Sequence, residues 1–270
     1  MNKTVSLVVI VCCIFVSFQQ VYAKRSKRFN CTEKIAHAIK RYKKGRYNDV
    51  KTVLDQVKTN CTGHAAMDTV LYYLGKAYLE TKQPIQASIE FQILVQDFPQ
   101  SSFNEEAHFL LGVCNYEESN TYERDQAKTH EAIRDFEDFA AMFPESQFAD
   151  SAALYLKKSR EKLVKKEFMN ARFYEKIDKF DAAIVYYRII IKNYPESSYI
   201  PECQYSLASN LVKVSRPREA IAVLNNLLST DIDTELKKKA QLLLDRLRKQ
   251  DKNEQPDTPQ DSTGLEKASR

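Results

Sequence analysis

Cysteine is the residue of this chain best suited to covalent chemistry, and its six copies fall into three sets. Cys12 and Cys13 lie in an apolar run near the N-terminus, Cys31 and Cys61 sit in two Asn-Cys-Thr steps, and Cys114 and Cys203 stand alone. A lipoprotein signal places a lipidated Cys after a short apolar stretch with a small residue just before it. Cys13 is the candidate, although Ile10, Val11 and Cys12 precede it and the last of these fits poorly. The other outcome is plain cleavage. Lys3, the apolar run from Val5 to Phe18, and the small-x-small step Val21-Tyr22-Ala23 make residues 1–23 an export signal. This run of fourteen residues is too short to span a bilayer comfortably. Lys24-Arg-Ser-Lys-Arg28, a basic linker over 24–29, follows the cut, where positive charge hinders translocation. The two Asn-Cys-Thr sequons bear glycans only in a eukaryotic secretory pathway.

Non-covalent catalytic chemistry finds no footing. The chain has no Gly-rich phosphate loop, no Cys-x2-Cys pair and no His-Glu-x2-His. His37, His64, His108 and His130 are scattered, and the abundant carboxylates read as solvated helix faces. No cofactor, no metal and no enzyme activity are expected.

What must position the cysteines is a set of repeats. Ala87-x3-Phe91-x7-Pro99, Ala132-x3-Phe136-x7-Pro144 and Ala183-x3-Tyr187-x7-Pro195 share one pattern, each ending in an aromatic-Pro-x-Ser step. A small residue four positions before an aromatic puts both on one helix face, and the proline then stops the helix. Recurrence at this period marks a helical solenoid of the tetratricopeptide (TPR) type. Weaker copies begin at Val50 and Ala220. The clearest unit runs from Asp68 to Ser101, with Leu71, Leu74, Gly75 and Tyr78 on its first helix and Pro84 opening its second. Gly112 stands in the place matching Gly75.

The spacing departs from the standard repeat twice. The segment Glu118–Gln126 lengthens a loop, and the absence of breakers between Gln147 and Ile177 predicts one long helix there. Thr234–Gln250 is an amphipathic closing helix. The expected fold is all-α, about five helix pairs plus that helix over residues 30–250. Residues 251–270 are polar, carry Pro256 and Pro259, and are expected to be a disordered tail.

Two surface expectations follow. Cys31 opens the first helix of repeat one and Cys61 closes its second, so an antiparallel pair sets the thiols side by side. In an exported protein they are a candidate disulfide, contributing about 3–4 kcal/mol on the chain-entropy estimate. The first helices of repeats one to three carry Ile35, Ile39, Tyr42, Tyr72, Leu79, Phe109, Val113 and Tyr116 on the side expected to face the concave groove. An apolar, tyrosine-rich groove suits an extended segment with alternate aromatic residues, and packing against the next repeat is the competing use of the same side chains. The basic stretch over residues 24–51 is either a patch that touches anionic head groups or nucleic acid or, since no aromatic-interleaved nucleic-acid motif accompanies it, a solvated helix face, and no nucleic-acid partner is expected.

Further motifs narrow the reading. Glu123-Arg124-Asp125-Gln126-x2-Thr129 is followed by Ala132, Phe136, Phe139 and Phe143-Pro144-x-Ser146, and later by Glu161-Lys162-Leu163-x3-Glu167-x3-Ala171-x2-Tyr174. This arrangement resembles the BamD family, TPR lipoproteins of the outer-membrane β-barrel assembly machinery, over about residues 30 to 215. The first repeat departs, with Val50 and Leu54 where Ala and an aromatic are expected.

The resemblance implies a non-enzymatic scaffold at the periplasmic face of the outer membrane, lipid-anchored or peripheral. Its implied partners are the POTRA region of BamA, other assembly-machinery subunits, and unfolded outer-membrane protein segments. It also implies that the first three repeats receive substrate while later ones hold BamA. Arg172 on the long helix and Arg188 in repeat four are the candidate docking residues there. A generic periplasmic TPR adaptor in envelope maintenance or division is the alternative, and a regulatory subunit of an enzyme is a third class.

Overall fold

The computed structural model describes residues 29–254. The export signal with Cys13, the basic linker up to Arg28, and residues 255–270 of the expected tail lie outside the described residues. Within them the chain is all-α and pairs its helices in the TPR manner. The elements are α1 (Cys31–Tyr42), α2 (Tyr47–Asn60), α3 (Met67–Glu80), α4 (Pro84–Asp97), α5 (Asn104–Glu118), α6 (Ala127–Met142), α7 (Ala149–Lys176), α8 (Phe180–Asn193), α9 (Ile200–Lys213), α10 (Pro217–Leu228) and α11 (Thr234–Glu254). The closing helix thus runs to Glu254, past the Gln250 expected from its amphipathic stripe. Asp251–Glu254 lack a breaker, and helix propagation adds a hydrogen bond for each residue it fixes.

Local chemistry accounts for the boundaries. Asn30 caps α1, its Oδ1 accepting from Glu33 N at 3.1 Å. Pro84 and Pro217 open α4 and α10, where the missing N–H costs nothing. Phe98, Phe143 and Tyr194 close α4, α6 and α8. The proline after each disfavours helical backbone for the residue before it. The serine of each step then turns the chain into the next helix. Ser101 Oγ accepts from Phe103 N at 3.2 Å, Ser146 Oγ from Phe148 N at 3.0 Å, and Ser197 Oγ from Tyr199 N at 3.2 Å. Within four pairs the tight turn needs one left-handed residue: Gly45, Lys82, Asp178 and Ser215, with φ of 72°, 58°, 57° and 57°.

The chain divides into two compact units, one ending at Leu111 and the other beginning at Gly112. The first buries Ile35, Ala38, Val50, Leu54 and Val57 against Val70, Leu74 and Ala77. Val50 and Leu54, the departures from the repeat, are fully buried there, so the degenerate repeat still packs. Cys31 Sγ and Cys61 Sγ lie 2.11 Å apart with Cα atoms 6.0 Å apart, a disulfide joining the start of α1 to the end of α2. One charged side chain is drawn in as well: Glu90 is buried and meets Lys58 Nζ at 2.6 and 2.7 Å.

The second unit is organised by α7, whose 28 residues lie along both α6 and α8. Its C-terminal half contributes Val164, Phe168 and Ala171 to a core completed by Ala183, Ile184, Tyr187 and Leu211, which α11 closes with Ala240, Leu244 and Leu247. Phe136 and Phe139 of α6 are also fully buried. Asn210 of α9 donates to the Glu175 carboxylate and, at 2.7 Å, to Ser206 O, tying the end of α7 to α9.

Candidate functional site

The residues expected to line a groove divide by burial. Ile35 is 6% exposed and belongs to the core of the first unit, because the same face of α1 must cover Val50 and Leu54. Tyr72 and Phe109 are also buried, at 6% and 8%. These three are packing residues rather than open groove walls. Ile39, Tyr42 and Leu79 are half-buried in the first unit, and Val113 and Tyr116 are half-buried in the second.

The first unit carries a continuous aromatic run. Tyr42 meets Tyr73 edge to face at 5.3 Å between ring centroids, and Tyr73 meets Tyr72 at 5.2 Å. Tyr72 stacks on Phe103 at 4.2 Å. Tyr47 extends the run from the other side of Tyr42, at 5.3 Å. Tyr47, Tyr73 and Phe103 were not among the expected groove residues. Phe103 sits in the loop before α5, and sequence periodicity within helices could not flag a loop aromatic. The signal that could have found it was the aromatic two residues after the serine step, present again at Phe148 and Tyr199.

Lys76 organises the polar side of this run. Its Nζ donates to Tyr72 Oη at 3.0 Å and to Glu106 Oε1 at 2.9 Å, and it lies 5.0 Å from the Tyr72 ring centroid. Burial pushes the Tyr72 phenol up to about 12. Burial acts to lower the Lys76 pKa, but Tyr72 and Glu106 more than offset it and the net direction is up. The site is therefore an aromatic run whose partly exposed rings, Tyr42, Tyr73 and Phe103, flank a buried Tyr72 held by Lys76. No cluster of three metal-capable side chains gathers among the described residues.

The Arg124, Asp125, Gln126 and Thr129 motif splits in two in the second unit. Gln126 and Thr129 are buried. Gln126 Nε2 donates to Thr121 O at 2.7 Å and Arg124 O at 3.0 Å, while its Oε1 accepts from Thr129 Oγ1 at 2.7 Å. These two hold the shape of the inserted loop. Arg124 and Asp125 are exposed, with Asp125 Oδ1 accepting from Ala127 N at the start of α6. Arg172 and Arg188 are both about half exposed, at side-chain values of 53% and 48%, on α7 and α8. Arg172 pairs with Glu175 at 3.3 Å and Arg188 with Glu219 at 2.6 Å. Cys114 and Cys203 are buried free thiols, each pushed up to about 12 by burial.

No helix among the described residues is long and apolar enough to cross a membrane. Comparison with known proteins adds identity to this geometry. Over 149 residues the chain is 26% identical to the outer membrane protein assembly factor BamD of Caulobacter vibrioides, which covers 55% of this chain and 47% of that protein. The chain thus spans about half the length of that curated relative. Among solved structures it resembles a tetratricopeptide repeat protein from Parabacteroides merdae (13% identical, 84% of this chain and 80% of that one, TM-score 0.40). It also resembles a thermophilic TPR protein of Thermus thermophilus (17% identical, 80% and 99%, TM-score 0.36). The family YfiO, described as outer membrane lipoprotein, matches residues 31–246, from the first cysteine of the disulfide to the last turns of the closing helix, and the chain belongs to that family.

Proposed function

We propose that this protein is a non-enzymatic scaffold of outer-membrane β-barrel protein assembly. It works at the periplasmic face of the outer membrane, and binds the POTRA region of BamA and unfolded segments of barrel precursors. The observation that carries the assembly role is the likeness to a BamD within an outer membrane lipoprotein family whose match covers nearly all the described chain. The geometry supports the division of labour. The half-buried rings of Tyr42, Tyr73 and Phe103, backed by the Lys76 clamp, offer an apolar face to alternate aromatic residues of an extended segment. Arg172 and Arg188 present exposed charge for a folded partner.

The test uses the full chain, tagged and expressed in a cell envelope that contains BamA. Tyr73→Ala with Phe103→Ala is expected to cut capture of barrel C-terminal peptides about tenfold, the scale of losing aromatic anchors, while BamA still co-purifies. Arg172→Glu with Arg188→Glu is expected to do the reverse. If both pairs remain folded by circular dichroism and change neither readout, the division of labour is wrong.

A further inference from the structure

The second unit holds a basic, aromatic recess that does not include the proposed docking residues Arg172 and Arg188. It has a volume of about 440 Å³ and is lined by Tyr116, Leu154, Lys158, Lys162, Lys165 and Tyr199, among others. Its lysines are held over rings. Lys162 Nζ lies 4.1 Å from the Tyr116 centroid, Lys165 Nζ 4.5 Å from Tyr122, and Lys158 Nζ 5.3 Å from Tyr155. Lys162 also donates to Ser119 Oγ at 2.5 Å, and Lys166 beside it donates to Arg124 O at 3.2 Å. The inserted loop is thus fastened to α7 mainly through neutral oxygens and π faces, while the Glu117 and Glu123 carboxylates offset part of the charge of Lys162 and Lys165. The acid lining the recess, Glu161, is turned to other work: its carboxylate accepts from Ser197 Oγ at 2.9 Å and Ser198 N at 2.8 Å. Burial pulls the Lys162 pKa down, with Glu117 opposing, so an arriving anion would relieve a cost already present.

We infer that this recess binds an extended, acidic polypeptide segment, with carboxylates on alternate residues reaching Lys158, Lys162 and Lys165 and the intervening side chains resting on the tyrosines and Leu154. The spacing is the reason to choose a polypeptide. Lysines at i, i+4 and i+7 on α7 are spread about 6 and 4.5 Å along the helix axis. Alternate residues of an extended chain recur about every 6.6 Å, close to the first of these steps, and the flexible lysine side chains take up the roughly 2 Å by which the second falls short. A single phosphate group needs cations converging on one point, and here each ammonium is held over a different ring. Leu154, 51% exposed, and the ring faces supply apolar contact that a lone headgroup does not use.

The measurement is fluorescence anisotropy with the full mature chain. The probe is a fluorescein-labelled peptide alternating Glu with Val and Tyr, compared with the same peptide carrying Lys for Glu and with phosphatidylglycerol vesicles. The Glu peptide is expected to bind, to weaken as salt rises, and to lose about tenfold or more in affinity in Lys158→Glu/Lys165→Glu, both exposed positions. Lys158→Gln/Lys165→Gln, which removes charge without reversing it, should lose less and fold alike by circular dichroism. Three results overturn the inference: affinity unchanged in both variants, equal binding of the Lys peptide, or vesicles bound through these lysines while the Glu peptide is not. A failure here is distinct from failure of the assembly role, which is read through Tyr73, Phe103 and BamA retention.

Discussion

The ring of Phe91 lies so close over Gly75 that a Cβ on Gly75 would stand 2.7 Å from Phe91 Cε1. The same relationship recurs in the second unit, where a Cβ on Gly112 would stand 2.6 Å from Phe136 Cε1. Both rings are fully buried. Gly75→Ala gains about 1 kcal/mol of helix propensity but loses about 1–3 kcal/mol to overpacking, so a net loss is expected. Urea unfolding should show it, and adding Phe91→Leu should recover part of the loss. A Gly75→Ala protein as stable as the parent would show that the helices slide apart at no cost.

The Cys31–Cys61 bond closes a loop around the first helix pair. Removing it in Cys31→Ser/Cys61→Ser is expected to cost about 3–4 kcal/mol, lowering the midpoint of the transition that reports the first unit. Peptide mapping without reductant should find residues 31 and 61 in one cross-linked fragment. Alkylation of both thiols in the unreduced native protein would contradict the bond.

Alkaline pH should destabilise the fold more steeply than neutral pH does. Burial raises Tyr72, Cys114 and Cys203 to about 12 in the folded chain. Unfolded, a thiol titrates near 8.5 and a phenol near 10. The unfolded state therefore sheds protons first, and stability present below about pH 8.5 is lost as pH rises towards 12. Thermal midpoints across that range should fall, and Cys114→Ala/Cys203→Ala should flatten the part that begins near pH 8.5.

Gln126 and Arg124 should differ in their contribution to stability although they are two residues apart. Gln126→Ala leaves the Thr121 and Arg124 carbonyls and the buried Thr129 hydroxyl without their partner, a loss of about 1–3 kcal/mol. Arg124→Ala changes an exposed side chain and should stay within about 0.5 kcal/mol. Equilibrium unfolding of the two variants side by side checks the contrast, and equal losses would mean that the loop is held by something other than Gln126.

Much of the fold was legible because it rests on local chemistry. The aromatic-Pro-x-Ser steps act within a few residues: proline restricts its predecessor, and serine caps the next turn through its own neighbours. The long helix was readable between 147 and 177 because no breaker interrupts it, and the structure places it at Ala149–Lys176. The close approach at Gly75 and Gly112 followed from small residues standing at matching places. The far end of the closing helix was not readable in the same way, since a polar stretch without a breaker can propagate beyond its apolar stripe.

The candidate site was the less legible part. Sequence identified which helix faces carry Tyr72, Phe109 and Ile35, but a residue facing a neighbouring helix and one facing solvent share the same periodicity. Only the packing of α1 over α2, and of Phe103 onto Tyr72, decided that these side chains are spent on the core and that Tyr73 and Phe103 continue the aromatic run. Likewise nothing local marks the lysines of α7, and only the fold sets Lys162 over Tyr116 of α5 and Lys165 over Tyr122 of the inserted loop. The sequence by itself determined the elements, because capping, breaking and period act over a few residues. The tertiary structure alone decided burial and ring contacts, because those depend on which residues distant in the chain arrive beside them.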